Sequence, residues 1–196
     1  VQGQGLMEAI SYSLTSPEKA ISFTKDPKPV VEVQWPLNSS RSTMRENLIT
    51  GLVDAASYNM ARKQKELALF EQGRVYDHEN NTFNEHEHLA ALYSGHTLAA
   101  NWQHLDQKID FYFVKGQLTN LFRAIGIKDE DVEYRAELIQ GMHPTRTAGI
   151  YINNQYVGLI GMLAHAVTTL DKALRGSEIY VYEIDLDAIV SMLHKG

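Results

Sequence analysis

Between residues 44 and 76 the spacing of apolar positions changes, and the change separates two elements. Met44, Leu48 and Leu52 lie four apart, while Ile49, Val53, Ala56 and Met60 make an adjacent ridge. A broad apolar face of this kind predicts a helix. Thr43 with Glu46 fits a capping box and Asn47 is a second candidate N-cap, so the pattern leaves two starts open. Arg62, Lys63 and Lys65 crowd the far end, where the helix dipole favours positive charge. The pattern then shifts to a strand over residues 67–76.

The rest of the chain follows the same two periods. Residues 7–14 alternate as a strand does, and Ser16-Pro17 opens a short helix with Ser16 as N-cap and Pro17 at its first position. A breaker-rich turn at 25–29, a β-branched strand at 30–33 and a loop at 35–40 come next, with Pro36 holding Trp35 extended. Residues 89–93 predict a strand paired with 67–76, the polar segment 77–85 forming the hairpin loop. A second helix spans 109–125 and stops at Gly126. Strands are expected at 132–138, 145–152 and 156–163, the last two joined at Asn153-Asn154, a pair that tolerates positive φ. A short helix at 167–174, a strand at 179–184 and a helix at 187–193, capped by Asp185 or Asp187, complete the chain. Strands in hairpins with helices between them predict an α+β fold, a largely antiparallel sheet with helices on one side.

Composition narrows the function classes. Eighteen basic against twenty-four acidic residues leave a net charge of -6, which argues against gripping a phosphate backbone over the whole surface. With no cysteine, disulfides, thiolate metal sites and a Cys nucleophile are excluded, and a cytoplasmic setting suits the chain. No apolar run reaches the roughly 20 residues that span a bilayer. The 196 residues fit one domain, and the start at Val1, inside what looks like a pattern, reads as a piece cut from a longer polypeptide.

Five of the eight histidines, His78, His86, His88, His96 and His104, fall within 27 residues, beside Glu79, Glu85 and Glu87. On a strand His86 and His88 would point the same way. No framed metal motif accompanies them, so solvated loop side chains are the plainer reading, against a metal-binding one. The run MHPTRTA at 142–148 could place His143 and Arg146 at one end of the sheet to bind an anion. The plainer reading is a turn whose His and Arg bond to neighbouring carbonyls and carboxylates, since no second catalytic partner is identifiable. Gly149, Gly158 and Gly161 make no phosphate-loop spacing, and no GxSxG elbow occurs. These residues alone leave open a small metal- or anion-binding enzyme built on His86/His88 or His143/Arg146. Longer runs of the sequence point to a rival reading.

The runs RENLITGL at 45–52, YNMAR at 58–62 and LFEQGRVY at 69–76 resemble, in that order, the β subunit of bacterial-type phenylalanyl-tRNA synthetase. LAALYSG at 89–95, Asp110-Phe111 with Lys115-Gly116, HPTRTA at 143–148, GLIG at 158–161 and GLMEAISYS at 5–13 extend the likeness over essentially the whole chain. Departures are Thr50 where proline is common, Trp35 where asparagine is usual, and Ala164-His165 in place of a second His-Pro.

The resemblance implies a class II aminoacyl-tRNA synthetase-like fold without an active site. The catalytic α subunit of that family follows the counterpart of residues 73–76 with an arginine that holds ATP phosphate, whereas Asp77 stands here and would repel it. Residues 179–193 contain no glycine and no arginine, both needed at that point of a class II site. The resemblance thus implies a non-catalytic scaffold, with no catalytic, substrate-binding or metal residues, that packs on the α subunit in an α2β2 enzyme. That enzyme uses ATP and Mg²⁺ to join phenylalanine to tRNA; this segment binds neither cofactor. Interface or structural roles fall to Leu48, Leu52, Tyr58, Asn59, Arg62, Arg74, His143 and Arg146.

Overall fold

The structure, a computed structural model, describes residues 1–36, 38–97 and 107–194. Its strands are β1 (Met7–Glu8), β2 (Leu14–Thr15), β3 (Thr43–Met44), β4 (Leu67–Glu79), β5 (Thr82–Ser94), β6 (Val132–Ala136), β7 (Met142–Ile152), β8 (Gln155–Leu163) and β9 (Ile179–Asp185). Its α-helices are α1 (Pro17–Ala20), α2 (Ile49–Met60), α3 (Phe111–Ala124), α4 (His165–Leu170) and α5 (Leu186–Leu193). Seven strands form one sheet in the order β1-β4-β5-β9-β8-β7-β6, antiparallel throughout except for the parallel β1–β4 edge. β2 and β3 form a separate antiparallel pair.

The α+β class and largely antiparallel sheet are as expected, but the helices cover both faces of the sheet. Strand β9 shows why. Tyr180, Tyr182 and Ile184 alternate towards α3 and α5, packing with Val114, Leu118, Phe122 and Ile189. Ile179 and Val181 face the other way, into a second core with Leu48, Ile49, Leu52 and Ala56 at α2. A strand buried on both faces loses its polar alternation, so it cannot announce which side its helices occupy. Each buried Leu, Ile or Phe side chain contributes about 1.5–3 kcal/mol.

The expected 77–85 loop is strand almost throughout. β4 and β5 pair from Leu67↔Ser94 to Glu79↔Thr82, closing on Asn80 and Asn81 at φ 51° and 63°. Two asparagines with positive φ suit the twist of a two-residue hairpin. Asn153 and Asn154, at φ 49° and 65°, do the same between β7 and β8, as the sequence predicts. The turn expected at 143–144 is instead an irregularity inside β7, between the Met142↔Leu163 and Thr147↔Gly161 pairs.

Helix α2 begins later than the Thr43–Glu46 capping box would place it, because Thr43 and Met44 pair with Thr15 and Leu14. Asn47 Oδ1 accepts the Thr50 N–H at 2.9 Å and does the capping. α3 starts on Asp110, whose carboxylate accepts the Phe113 N–H at 2.8 Å, and α5 on Asp185, which accepts from Ala188 at 2.9 Å. Ser16 makes no capping bond, and α4 starts and stops earlier than predicted. Residues 9–13 leave the predicted first strand, and residues 30–33 contribute one bridge, Glu32↔Thr43. No helix among the described residues is long and apolar enough to cross a membrane.

Candidate functional site

On the α2 face of the sheet a cavity of about 290 Å³ opens between residues 23–28, the approach to α2, and strands β4, β5, β8 and β9. Its lining includes the apolar Phe23, Val75, Val157 and Leu159 and the acidic Asp26, Glu46, Asp77, Glu183 and Asp185. Its two lysines are committed elsewhere. Lys25 Nζ lies 2.7 Å from both Glu137 Oε1 and the Tyr151 hydroxyl, and Lys28 Nζ lies 2.8 Å from Glu79 Oε1. The Glu137 and Tyr151 hydrogen bonds hold the Lys25 ammonium above its ordinary pKa.

Glu183 is the anchor of this region. Its side chain is buried, and its carboxylate accepts the N–H groups of Leu48 at 3.0 and 3.1 Å and of Ile49 at 3.2 Å. Those are orphan donors of the α2 N-terminus, where negative charge is also favoured by the helix dipole. His88 Nδ1 sits 2.7 Å from Glu183 Oε1. Burial alone lowers the His88 pKa, but the Glu183 hydrogen bond and charge, with Asp185 and Asp187, outweigh it and raise the value. Two residues back on the same strand, His86 Nε2 lies 3.0 Å from Asp77 Oδ2.

Glu46 is different. It is only 7% exposed, its Oε2 accepts the Lys28 N–H at 3.3 Å, and its buried Oε1 has no hydrogen-bond partner. Burial, reinforced by the Asp77 charge, raises its pKa to about 7 against the Lys28 hydrogen bond. Thr24, which also lines the cavity, likewise has a buried hydroxyl oxygen without a partner. Burial also pushes the Tyr156 phenol up.

The residues singled out in the sequence scatter around this cavity. Leu48 and Leu52 are fully buried in the α2 core. Tyr58 lies on the outer side of α2, with the guanidinium of Arg62, just past the helix end, 3.4 Å from its ring centroid, while Asn59 donates to the Ala55 carbonyl at 2.8 Å. Arg74 is exposed on β4 and pairs with Glu85. His143 Nδ1 accepts the Thr145 N–H at 3.2 Å, and Arg146 lies 3.6 Å from Glu178 Oε1, so both serve local bonds. His86 and His88 share a face, their rings 6.5 Å apart, but each is paired to a carboxylate on a strand, not placed in a loop. His78 stacks on Phe83 at 4.7 Å, and His96 lies in a bridge with Lys108. His104 lies outside the described residues. Among those described, no three His, Asp or Glu side chains gather to hold a metal ion.

Separate sequence motifs also meet in the structure. Arg45 Nη1 lies 2.6 Å from Glu71 Oε1, both side chains buried, and Arg45 Nε donates to the Arg74 carbonyl at 2.9 Å. Ser11 Oγ donates to Glu71 Oε2 at 2.7 Å. A Cβ at Gly51 would lie 2.2 Å from Ser11 Oγ, and one at Gly73 2.6 Å from Arg45 Nη2, which is why both positions stay bare. Glu46, read in the sequence only as a capping-box residue, and Glu71 and Glu183 were not singled out as site residues. For Glu71 and Glu183 a signal existed, a carboxylate directly after an apolar run, LALF before Glu71 and IYVY before Glu183.

A model of the family described as phenylalanyl tRNA synthetase beta chain CLM domain matches residues 1–186. The chain belongs to that family. It is 98% identical over all 196 residues to the phenylalanine–tRNA ligase β subunit of Lactobacillus johnsonii, and 77% identical to that of Lactobacillus acidophilus. The Latilactobacillus sakei β subunit is 38% identical over 195 residues. In each case the match spans 24% of the relative's length. Among solved structures, a pyrrolysyl-tRNA synthetase from Desulfitobacterium hafniense superimposes with a TM-score of 0.63 at 16% identity, covering 99% of this chain and 65% of that one. The likeness is one of fold, and the class II synthetase-like architecture is the one expected.

Proposed function

We propose that this chain is the non-catalytic, synthetase-like part of a phenylalanine–tRNA ligase β subunit and scaffolds assembly with the catalytic α subunit. The observation that carries the reading is the charge of the cavity. Asp77, Glu183 and Asp185 stand in its wall, while Lys25 and Lys28 are held by Glu137 and Glu79. Among the described residues lining it, a triphosphate has no free cation to meet, and like charges at close range repel it. ATP and Mg²⁺ are used by the whole cytoplasmic α2β2 enzyme, which also binds tRNA, and the chain itself holds neither cofactor. The exposed Tyr58–Arg62 stack at the end of α2 supplies an aromatic and an arginine, residue types enriched at interfaces.

The test is co-expression with the cognate catalytic α subunit, followed by sizing of the complex. An obligate interface buries over about 2,000 Å² and survives gel filtration. The complex is expected to hold, to weaken on combined Tyr58→Ala and Arg62→Ala substitution, and to be required for ATP–pyrophosphate exchange. Separate elution of the two chains, or exchange activity in this chain alone, would overturn the reading.

A further inference from the structure

We propose that residues 24–28 are a pH-gated strap, shut against Glu46 while that carboxyl is neutral and released when it ionises. The geometry of the strap points this way independently of any role in subunit assembly. Its ends are fixed. Asn47 Nδ2 donates to the carbonyls of Ala20 and Ser22 at 3.0 and 2.6 Å, and the Phe23 N–H donates to the Gln140 carbonyl at 3.0 Å. On the far side the Met44 N–H donates to the Val31 carbonyl at 2.8 Å. Between these points, residues 25–30 make no backbone–backbone hydrogen bond among the described residues. The Lys25–Glu137 and Lys28–Glu79 ion pairs hold them instead, with the Lys28 N–H on Glu46 Oε2 at 3.3 Å. Few backbone bonds and partly exposed ion pairs make this a segment that opens locally, before the domain unfolds. Phe23 is the hinge. It has φ +63°, which bulky side chains rarely adopt, and its ring is buried against Gly141, where a Cβ would lie 2.6 Å from it. Such strain persists where the surroundings over-determine it, and it gathers at switch segments.

The shut strap leaves two oxygens dry. Glu46 Oε1 and Thr24 Oγ1 are both buried without a hydrogen-bond partner, and release of residues 24–28 brings water to them. A neutral carboxyl tolerates such a place far better than a carboxylate does. The charges around Glu46 act in the same sense. Within the strap, Lys28 favours its ionisation, but that ammonium is held by Glu79, Lys25 is held by Glu137, and Asp26 is acidic. On β4, Asp77 opposes ionisation, and its carboxylate is bonded to His86 of β5. On β9, Glu183 is bonded to His88 and Asp185 caps α5. Burial is the largest influence, and with Asp77 it outweighs the Lys28 bond and raises the Glu46 pKa to about 7. Freed into water the carboxyl returns to its ordinary range. Ionisation therefore favours the open strap, which is shut in mild acid and released as pH climbs through neutrality.

Amide hydrogen exchange of the 196-residue chain, read by NMR as protection factors at pH 5.5 and 8.5, tests the strap. Protection factors remove the intrinsic pH dependence of exchange. The Lys28 amide, bonded to Glu46, should lose at least about tenfold of its protection between the two, as a shift from 4.5 to about 7 requires. Leu52, inside α2, should stay at least about a hundredfold better protected than Lys28 at both, which makes the opening local. Glu46→Gln should abolish the Lys28 step. Protection of Lys28 that ignores pH, a step that survives in Glu46→Gln, or Leu52 no better protected than Lys28 overturns the proposal. Should Glu46→Gln fail to fold, ¹³C titration of the Glu46 carboxyl in the unaltered chain decides it. Its midpoint should coincide with that of the Lys28 change, and two separate midpoints overturn the gate.

Discussion

His88 Nδ1 and Glu183 Oε1 meet 2.7 Å apart across the β5–β9 pair, and through Glu183 that contact reaches the first turn of α2. One buried carboxylate thus joins the centre of the sheet to a helix 135 residues earlier in the chain. Replacing Glu183 with alanine leaves two backbone donors and an imidazole without their acceptor. A loss of about 3–5 kcal/mol in urea unfolding is expected, with Glu183→Gln costing less because it keeps an acceptor oxygen. Equal stability of Glu183→Ala and the parent would show that the helix start is held by other means.

Stability should fall as pH rises through neutrality. His88 has its folded pKa above the ordinary 6.5, so its contribution is full below 6.5 and lost as pH climbs through the folded value. Glu46, raised by burial from 4.5 to about 7, acts in the same direction: full below 4.5, lost through about pH 7. A shift of that size corresponds to roughly 3 kcal/mol. Asp129, Glu137, Asp171 and Glu178 are depressed by their partners and oppose the trend only as pH falls below about 4.5. Urea midpoints at pH 5 and 8 measure the difference, and Glu46→Gln should reduce it. A flat profile in the parent chain would contradict the assignment.

The Arg45–Glu71 pair, 2.6 Å apart and buried, predicts a non-additive cycle. Either Arg45→Met or Glu71→Gln alone leaves one charged or polar group stranded beside Ser11, costing about 3–5 kcal/mol. The double variant should cost clearly less than the sum of the two. Simple additivity would mean the pair is solvated in the native state.

Two glycines separate steric need from tolerance. Gly158 has φ +155°, and a Cβ there would lie 2.0 Å from the Glu183 carbonyl oxygen, which is backbone and cannot swing aside. Gly158→Ala should therefore cost more than about 3 kcal/mol or prevent folding. Gly116, within α3, has nothing within 4 Å of its would-be Cβ, so Gly116→Ala should stabilise by about 0.5–1 kcal/mol. Thermal unfolding of both variants makes the comparison.

What the amino-acid sequence determined by itself was local. Gly126 ends α3, Asn153-Asn154 turns β7 into β8, and the apolar spacing of α2 marks its body. The α+β class comes from the same short-range signals, because caps, turns and periodicity act within a few residues. The family likeness, too, was legible, carried by runs such as RENLITGL and LFEQGRVY.

Tertiary structure alone decided how those runs are used. That Arg45 of one run pairs with Glu71 of the other depends on two elements meeting. Strand β9 carries both cores, so its pattern is apolar on either face and silent about where the helices lie. The start of α2 hung on pairing of Thr43 with Thr15 and on Glu183, and the histidines left their expected loop because the β4–β5 ladder runs to Glu79↔Thr82. Glu46 read as a helix cap and became a buried, unsatisfied wall of a cavity. Burial and polar pairing are set by residues far apart in the chain, and no local pattern encodes them.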